Sequence, residues 1–469
     1  MHKFVAFVCS LLLFTLPFNL YAAAGAQVPK LLSHWVGYTA IIVFVCAYVL
    51  VILEEKLHLR KSKPVLLSAG IIWVIIAIVY GNLGYSQEVE HAIRHNFLEY
   101  AELFFFLLVA MTYINAMLER GVFEDLRNRL VAAGLSFKAL FWLTGFLAFF
   151  ISPIADNLTT ALIMCAVVLA VGKDRPKFIG LACINIVVAA NAGGAFSPFG
   201  DITTLMVWQK GIVEFTEFFV LFAPALVNFV VPAAIMQFAL PAGTPKGAKL
   251  RGDVLKPGGL TIVALFLLTI VTAVSFHSFL HIPPVFGMML GLGYLKLYAY
   301  CLSQKCKKWE IHTDNPPAGN ANPYQFDVFK KIAGSEWDTL FFFYGVILSV
   351  GGLGFIGYLA SISSFMYGEL GATQANILVG VLSALIDNIP VMFAVLTMNP
   401  EMSHMQWLLV TLTAGVGGSL LSIGSAAGVA LMGQARGYYT FFGHLKWMPV
   451  IALGYALSIW VHFLLNSPN

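Results

Sequence analysis

The sequence predicts an all-α polytopic membrane protein made of two inverted-topology repeats, each with a re-entrant helical hairpin and a discontinuous transmembrane helix. Three observations carry this. Hydrophobic residues make up 59% of the chain and charged residues 11%, with a mean hydropathy of +0.84, outside the range of soluble globular domains. A polar fingerprint occurs twice, as SPIADNLTT from Ser152 to Thr160 and as SALIDNIPV from Ser383 to Val391. Each copy precedes a glycine-broken apolar segment, NAGGAFSPFGDITT from Asn191 to Thr204 and GVGGSLLSIGSAAG from Gly415 to Gly428. Carboxylates and unwound backbone in hydrocarbon are too costly for a passive anchor, so their repetition points to a transport site between two related halves.

Met1-His2-Lys3, the apolar run Phe4 to Phe18 and Ala22-Ala23-Ala24 read as a secretory signal over residues 1–24. The alternative is an uncleaved first helix, and either places Gly25 outside the cytoplasm. Spanning segments then follow near 34–53, 64–81, 98–118, 178–209, 217–240, 260–278, 283–301, 337–359, 405–434 and 446–465. Ten crossings result if 137–171 and 375–398 are hairpins that enter and leave on one side. Charge supports that assumption: of 27 Lys and Arg, all but Lys3, Lys30, Arg94 and Lys210 then fall on the cytoplasmic side.

The repeat supports the same topology. EYAELFFF at Glu99 to Phe106 aligns with EWDTLFFF at Glu336 to Phe343 at an offset of 237; Asp156-Asn157 aligns with Asp387-Asn388 at 231, and Gly193-Gly194 with Gly417-Gly418 at 224. A drifting offset is what small loop differences between duplicated units produce. An odd number of crossings separates the two starts, which inverts the second unit. The expected organisation is N-terminal helices over 25–97, a first repeat over 98–240, connecting helices and a cytoplasmic linker over 241–333, and a second, inverted repeat over 334–469.

Non-helical backbone at membrane depth survives only where protein or a water-filled cavity satisfies it, so its free groups are open to a ligand. Pro153 and Asp156-Asn157 make a natural hairpin tip, as do Asp387-Asn388 and Pro390. Gly193, Gly194, Pro198 and Gly200 break the next helix, with Asp201, Thr203 and Thr204 at its restart; Gly417, Gly418 and Gly424 do the same in the second unit, with Ser419, Ser422 and Ser425 as polar ligands. Asp156, Asp201 and Asp387 accept only when ionised, and Asn, Ser and Thr oxygens complete a hard cage suited to Na⁺ or Li⁺. Burial also favours the neutral form of a carboxylate, so protons and cations compete for one site, which suffices for antiport. The plainer alternative for any one aspartate is a helix cap.

Glu102, near the outer end of its helix, is a candidate for an ion or proton path. Asp338 is expected to be solvated or capping, and Asn185 to be packing glue. His34, His58, His91, His95, His277, His281, His312, His404 and His444 fall in loops or near helix ends and read as solvated, with His91 and His95 sharing one face of an acidic outer loop. The residues His312 to Ala321 read as a flexible linker. Cys9 falls in the signal segment, and Cys46, Cys165, Cys183, Cys301 and Cys306 read as small core residues. No phosphate-binding glycine loop occurs, and neither cofactor nor nucleic-acid partner is expected.

The paired D-N tips and NAGGAFSPFGDITT resemble the NhaD-type sodium/proton antiporters of the ion transporter superfamily, across essentially the whole mature chain. The resemblance implies scaffold and transport domains, a homodimer, an inner-membrane location, and export of Na⁺ or Li⁺ for protons under salty or alkaline conditions. Carried over by position, it implies Asp156, Asn157, Asn191, Asp201, Thr203, Thr204, Ser383, Asn388, Ser422 and Ser425 as functional residues. Asp201 corresponds to Ser425, so the half-sites differ chemically. Two rivals remain open. An anion transporter, for dicarboxylates or arsenite, would use positive half-helix dipoles without competing carboxylates, and no Lys or Arg is expected at mid-membrane. A channel or structural subunit would not need two inverted broken-helix units.

Overall fold

The computed structural model describes residues 28–52, 54–57, 59–172, 175–244, 255–312 and 324–466. The expected leader with Lys3 and Cys9, His58, Lys173, Lys246, Lys249, Arg251 and linker residues 313–321 lie outside the described residues. Among the described residues there is no strand, and nine helices are long and apolar enough to cross a membrane. That is the polytopic class read from composition.

Helices α1 (Trp35–Ile52) and α2 (Ser62–Asn82) pair, and α2 lies along a later helix, α12 (Trp337–Ile356). Small residues allow that close approach: a Cβ on Gly345 would fall 2.5 Å from Val65, and one on Gly352 2.7 Å from Ile72. Trp73 Nε1 donates to the Leu348 carbonyl at 2.8 Å across the same seam. Helix α3 (Ser86–Glu119) has 34 residues, about 50 Å at ~1.5 Å per residue, and so overruns a bilayer core of roughly 30 Å. The expected span 98–118 is its inner part. Helix α4 (Val122–Ala132) occupies what reads as a basic loop, with Arg127 paired to Glu124 at 2.7 Å and Arg129 to Asp125 at 2.8 Å.

Helices α5 (Phe137–Ala155) and α6 (Asn157–Gly172) both pack on α7 (Pro176–Gly194), which is buried along nearly its whole length. A loop leads to the short α8 (Ile202–Gln209), and α9 (Phe222–Met236) follows. Helices α10 (Gly259–Leu280) and α11 (Pro284–His312) pair and lean on α3, where Tyr113 donates to the Gly291 carbonyl at 2.7 Å and accepts from Thr269 at 3.0 Å. After α12, the helices α13 (Ala372–Ile386) and α14 (Asn388–Met398) both pack on α15 (His404–Gly417). A loop, α16 (Ala426–Gln434), α17 (Phe441–Leu445) and α18 (Met448–Asn466) close the chain, with α18 against α9.

The two units share local geometry in detail. The link between α5 and α6 is Asp156 at φ 58°, and that between α13 and α14 is Asp387 at φ 89°. Ser152 Oγ donates to the Ala190 carbonyl at 2.6 Å, and its counterpart Ser383 to that of Ala414 at 2.8 Å. A Cβ on Gly193 would lie 2.2 Å from the Phe149 oxygen, and one on Gly417 2.2 Å from that of Gly380. Pro153 lacks the N–H that would otherwise bond Phe149, which leaves that carbonyl open to the glycine. Each short restarted helix also crosses to the other unit: α8 packs on α14 and α15, and α16 on α6 and α7.

Two expectations need correction. His444 does not sit in solvent: it is fully buried within α17, because its ring is walled in by Tyr439 and the α15–α16 loop. Asp338 is partly buried and accepts a hydrogen bond from Ser62 Oγ, since α2 lies against its helix. Asn185 does act as glue, donating to the Phe141 carbonyl at 2.9 Å.

Gly193→Ala is expected to lower the Tm of the detergent-purified protein by several degrees, since the added carbon meets backbone and overpacking costs about 1–3 kcal/mol. Gly70→Ala, which meets nothing within 4 Å, is expected to leave Tm unchanged or slightly raised. Scanning fluorimetry on the pair checks this.

Candidate functional site

The four breaks converge on one buried polar cluster. Asp201 caps α8 with extended backbone at φ −146°, ψ 150°, and its Oδ1 accepts from the Thr203 N–H at 3.2 Å. Its Oδ2 accepts from Asn157 Nδ2 at 2.9 Å and Asn388 Nδ2 at 2.8 Å, so both hairpin tips reach one carboxylate. Asn157 also donates to Asn191 Oδ1 at 3.1 Å, and Asn191 Nδ2 reaches Ser419 Oγ and Ser425 Oγ, each at 2.9 Å. The Asn157 N–H donates to the Gly200 carbonyl at 3.0 Å, tying the first tip to the first broken helix. Asp201 is 4% exposed, and Asn191 fully buried.

The starts of α6, α8, α14 and α16 therefore meet the ends of α7 and α15 at this cluster. Helix starts present N–H groups and partial positive charge, and helix ends present carbonyls and partial negative charge. Such a junction can hold a carboxylate and, beside it, a cation. Three buried hydroxyls near these breaks, Thr160 Oγ, Thr203 Oγ and Ser422 Oγ, make no hydrogen bond. Unpartnered hard oxygens of this kind are the atoms an oxygen-coordinated monovalent cation would use.

The other sequence-derived residues divide clearly. Asp156 lies at the first tip, but its carboxylate turns back on its own helix, accepting from the Thr159 N–H at 2.8 Å and from Thr159 Oγ at 2.9 Å. Thr204 Oγ donates to the Ser197 and Asp201 carbonyls, both at 2.7 Å, and Ser383 to Ala414, so both hold backbone in place. Asp387 makes no hydrogen bond to the Asp201 cluster; its partner is Lys61, whose Nζ lies 3.7 Å from Oδ2. Lys61 reads as a loop lysine, yet its stem lets it reach Asp387 and the Phe342 ring. Glu102 stands one turn from Glu99, which pairs with Lys210 and with His95 at 2.9 Å, near the middle of α3. It is not brought to the cluster.

A cavity of about 180 Å³ reaches the cluster. Asp156, Asn157, Asp201 and Asn388 line it together with the apolar Phe106, Met111, Leu162 and Phe343 and with Lys61, Asn115, Leu118 and Glu336. The outer cavity around His95, Asn96, Glu99 and Lys210 does not include Asp201.

Sequence reasoning missed three supporting groups. Thr159 was visible as part of the fingerprint, but its bond to Asp156 needed the turn geometry. Lys61 lies far from the fingerprint in sequence. His444 carries no local signal: its Nε2 meets the Ser419 carbonyl at 2.8 Å and its Nδ1 the Tyr439 hydroxyl at 2.8 Å. A carbonyl only accepts, so Nε2 bears the proton and Nδ1 accepts from Tyr439.

The model of the citrate-transporter family matches residues 30–300 and 327–415. The chain is 59% identical to the Na⁺/H⁺ antiporter NhaD of Alkalimonas amylolytica over 97% of this chain and 95% of that one. It is 57% identical to the Na⁺/H⁺ antiporter NhaD of Vibrio cholerae over 98% of each. Sodium/proton antiporter 1 of Arabidopsis thaliana is 31% identical over 94% of this chain and 72% of its own.

His444→Phe is expected to lower Tm by several degrees, because it strands the Ser419 carbonyl and the Tyr439 hydroxyl at about 1–3 kcal/mol per orphaned buried group. His444→Gln, which keeps a donor, is expected to fall between that variant and the parent. Thermal melts of the purified proteins measure both.

Proposed function

The chain belongs to the citrate-transporter family and to its NhaD-type Na⁺/H⁺ antiporter relatives, and from that premise we propose that it exports Na⁺ or Li⁺ in exchange for protons by alternating access. Such a protein is a transporter and not an enzyme. The observation that carries the reading is the Asp201 carboxylate, buried where two asparagine tips and two broken helices meet. A passive membrane subunit has no use for it.

In this reading Asp156 and Asp201 are the principal cation and proton ligands. Asn157, Thr203, Thr204, Asn388, Ser422 and Ser425 complete or orient the cage, Asn191 holds the two units in register, and Ser383 ties the second hairpin to the broken helix of its own unit. With Asp201 accepting from Thr203, Asn157 and Asn388, its ionised form is fully provided for, as a cation ligand must be. The unpartnered hydroxyls of Thr203 and Ser422 supply further oxygens. A proton on either aspartate removes the charge the cation needs, so one site serves both ions in turn.

The matched tips, matched serine bonds and reciprocal crossing of α8 and α16 support two inverted repeats, 98–240 and 334–469, with re-entrant hairpins and discontinuous helices. The cavity lined by Leu118, Glu336 and Lys61 supports an inward-facing conformation, with the basic loops cytoplasmic. A homodimer in the inner membrane, with Glu102 on the outer ion path and a role in Na⁺ and alkaline pH homeostasis, completes the proposal. An anion transporter is disfavoured because the charge at the junction is a carboxylate and not a basic group.

Everted vesicles energised by respiration and containing a pH-sensitive dye test this across pH 7 to 9. Na⁺ and Li⁺ are expected to dequench the dye in the parent, and Asp156→Asn and Asp201→Asn to abolish the response at equal expression. A cation-silent parent that moves dicarboxylate instead would overturn the reading.

A further inference from the structure

The two hairpin tips share a backbone but not a way of holding their aspartate. Asp156 is satisfied from within its own helix, by the Thr159 N–H and hydroxyl. At the position equivalent to Thr159 stands Pro390, which has neither a hydroxyl nor an N–H. Asp387 Oδ1 accordingly makes no hydrogen bond, although Asp387 is mostly buried. A largely buried carboxylate with one oxygen short of a donor gains from a counter-charge.

That charge comes from outside the repeat. Lys61, immediately before α2, lies 3.7 Å from Asp387 Oδ2 with 19% of its side chain exposed, and its ammonium stands 4.4 Å from the Phe342 ring centre. Lys61 and Asn388, the residue after Asp387, line the same cavity as Asp156 and Asp201. Lys61 thus stands in the wall of the cavity that reaches the Asp201 cluster. Glu336 lines that wall too, and Asp338, held by Ser62, lies on the same helix.

We propose that Lys61 is a resident counter-ion for Asp387, a positioning residue that withdraws the second tip's charge from the cation site and so sets its affinity for Na⁺. The proposal rests on the antiport reading above. With Lys61 in place, Asp156 and Asp201 are the carboxylates left to the transported ion; without it, Asp387 adds a third negative charge beside them. Charge, and not merely packing, then decides the outcome, and the two partners act with opposite signs.

Na⁺-driven proton exchange in everted vesicles, and the Na⁺ concentration giving half-maximal thermal stabilisation of the purified protein, provide two readouts. Lys61→Gln is expected to lower both the apparent KM and the half-maximal Na⁺ concentration by about threefold or more, the scale of one added charge nearby at partial screening. Lys61→Arg is expected to stay within about twofold of the parent, since it keeps the charge. Asp387→Asn is expected to raise both values, and the double variant Lys61→Gln/Asp387→Asn to return toward the parent. If Asp387→Asn does not transport, its thermal titration still reports the shift. Equal behaviour of Lys61→Gln and Lys61→Arg, or an unchanged or higher Na⁺ requirement in a folded Lys61→Gln protein, would overturn the proposal. A parent that shows neither Na⁺-driven exchange nor Na⁺ stabilisation would instead overturn the antiport reading beneath it.

Discussion

The structure depends on one constraint: chain that leaves the helical conformation inside a membrane must find partners for its backbone and side chains within the protein. At the convergence of the four breaks, the Asp201 carboxylate gathers the Thr203 N–H and the amides of Asn157 and Asn388. The same constraint explains Asn191, whose amide bridges Asn157 on one side and Ser419 and Ser425 on the other. Apart from the local Thr203 cap, each of these bonds joins segments distant in the chain. The cluster is therefore the candidate site and, at once, a joint between the two halves of the chain.

Duplicated backbone and divergent side chains divide the labour. The restart of each broken helix has nearly the same conformation, φ −146°, ψ 150° at Asp201 and φ −146°, ψ 152° at Ser425, and both side chains cap the helix they begin. Only the first is a carboxylate. Similarly Asn191 faces the junction from the first unit where the second has Gly415, and Thr159 serves one tip where Pro390 serves the other. Matching backbone sets where the caps lie, while differing side chains put a carboxylate at one restart only and set Lys61 beside Asp387.

Packing around the site uses absence of side chain as a structural element. A Cβ on Gly194 would lie 2.6 Å from the Gly200 oxygen, and one on Gly418 2.7 Å from the Gly424 oxygen, so each broken stretch folds back on itself only because both ends are glycine. Outside this inner layer, α2 and α12 and the α10–α11 pair present large apolar side chains such as Leu67, Val74, Leu267 and Val271 outward, where lipid would meet them. Arg120, fully buried at the inner end of α3, donates to the Gln325 carbonyl at 2.8 Å and so joins that helix to the segment before α12.

The class of the protein, the places where its helices break and most residues of the cluster were legible in the sequence, because polar groups within apolar runs are few and their repetition is visible without coordinates. Asp201, Asn157 and Asn388 could be named that way. Which of them touch could not, since a shared fingerprint carries no distances: it offered Asp156, Asp201 and Asp387 as candidates, whereas tertiary packing placed Asp201 among the amides, turned Asp156 onto Thr159 and left Asp387 to Lys61. Lys61 and His444 read as solvated because local pattern reports only a residue's neighbours in the chain. Their burial is decided by helices more than twenty residues away in sequence, and an ammonium or imidazole takes its role from whichever carboxylate or carbonyl that packing sets before it.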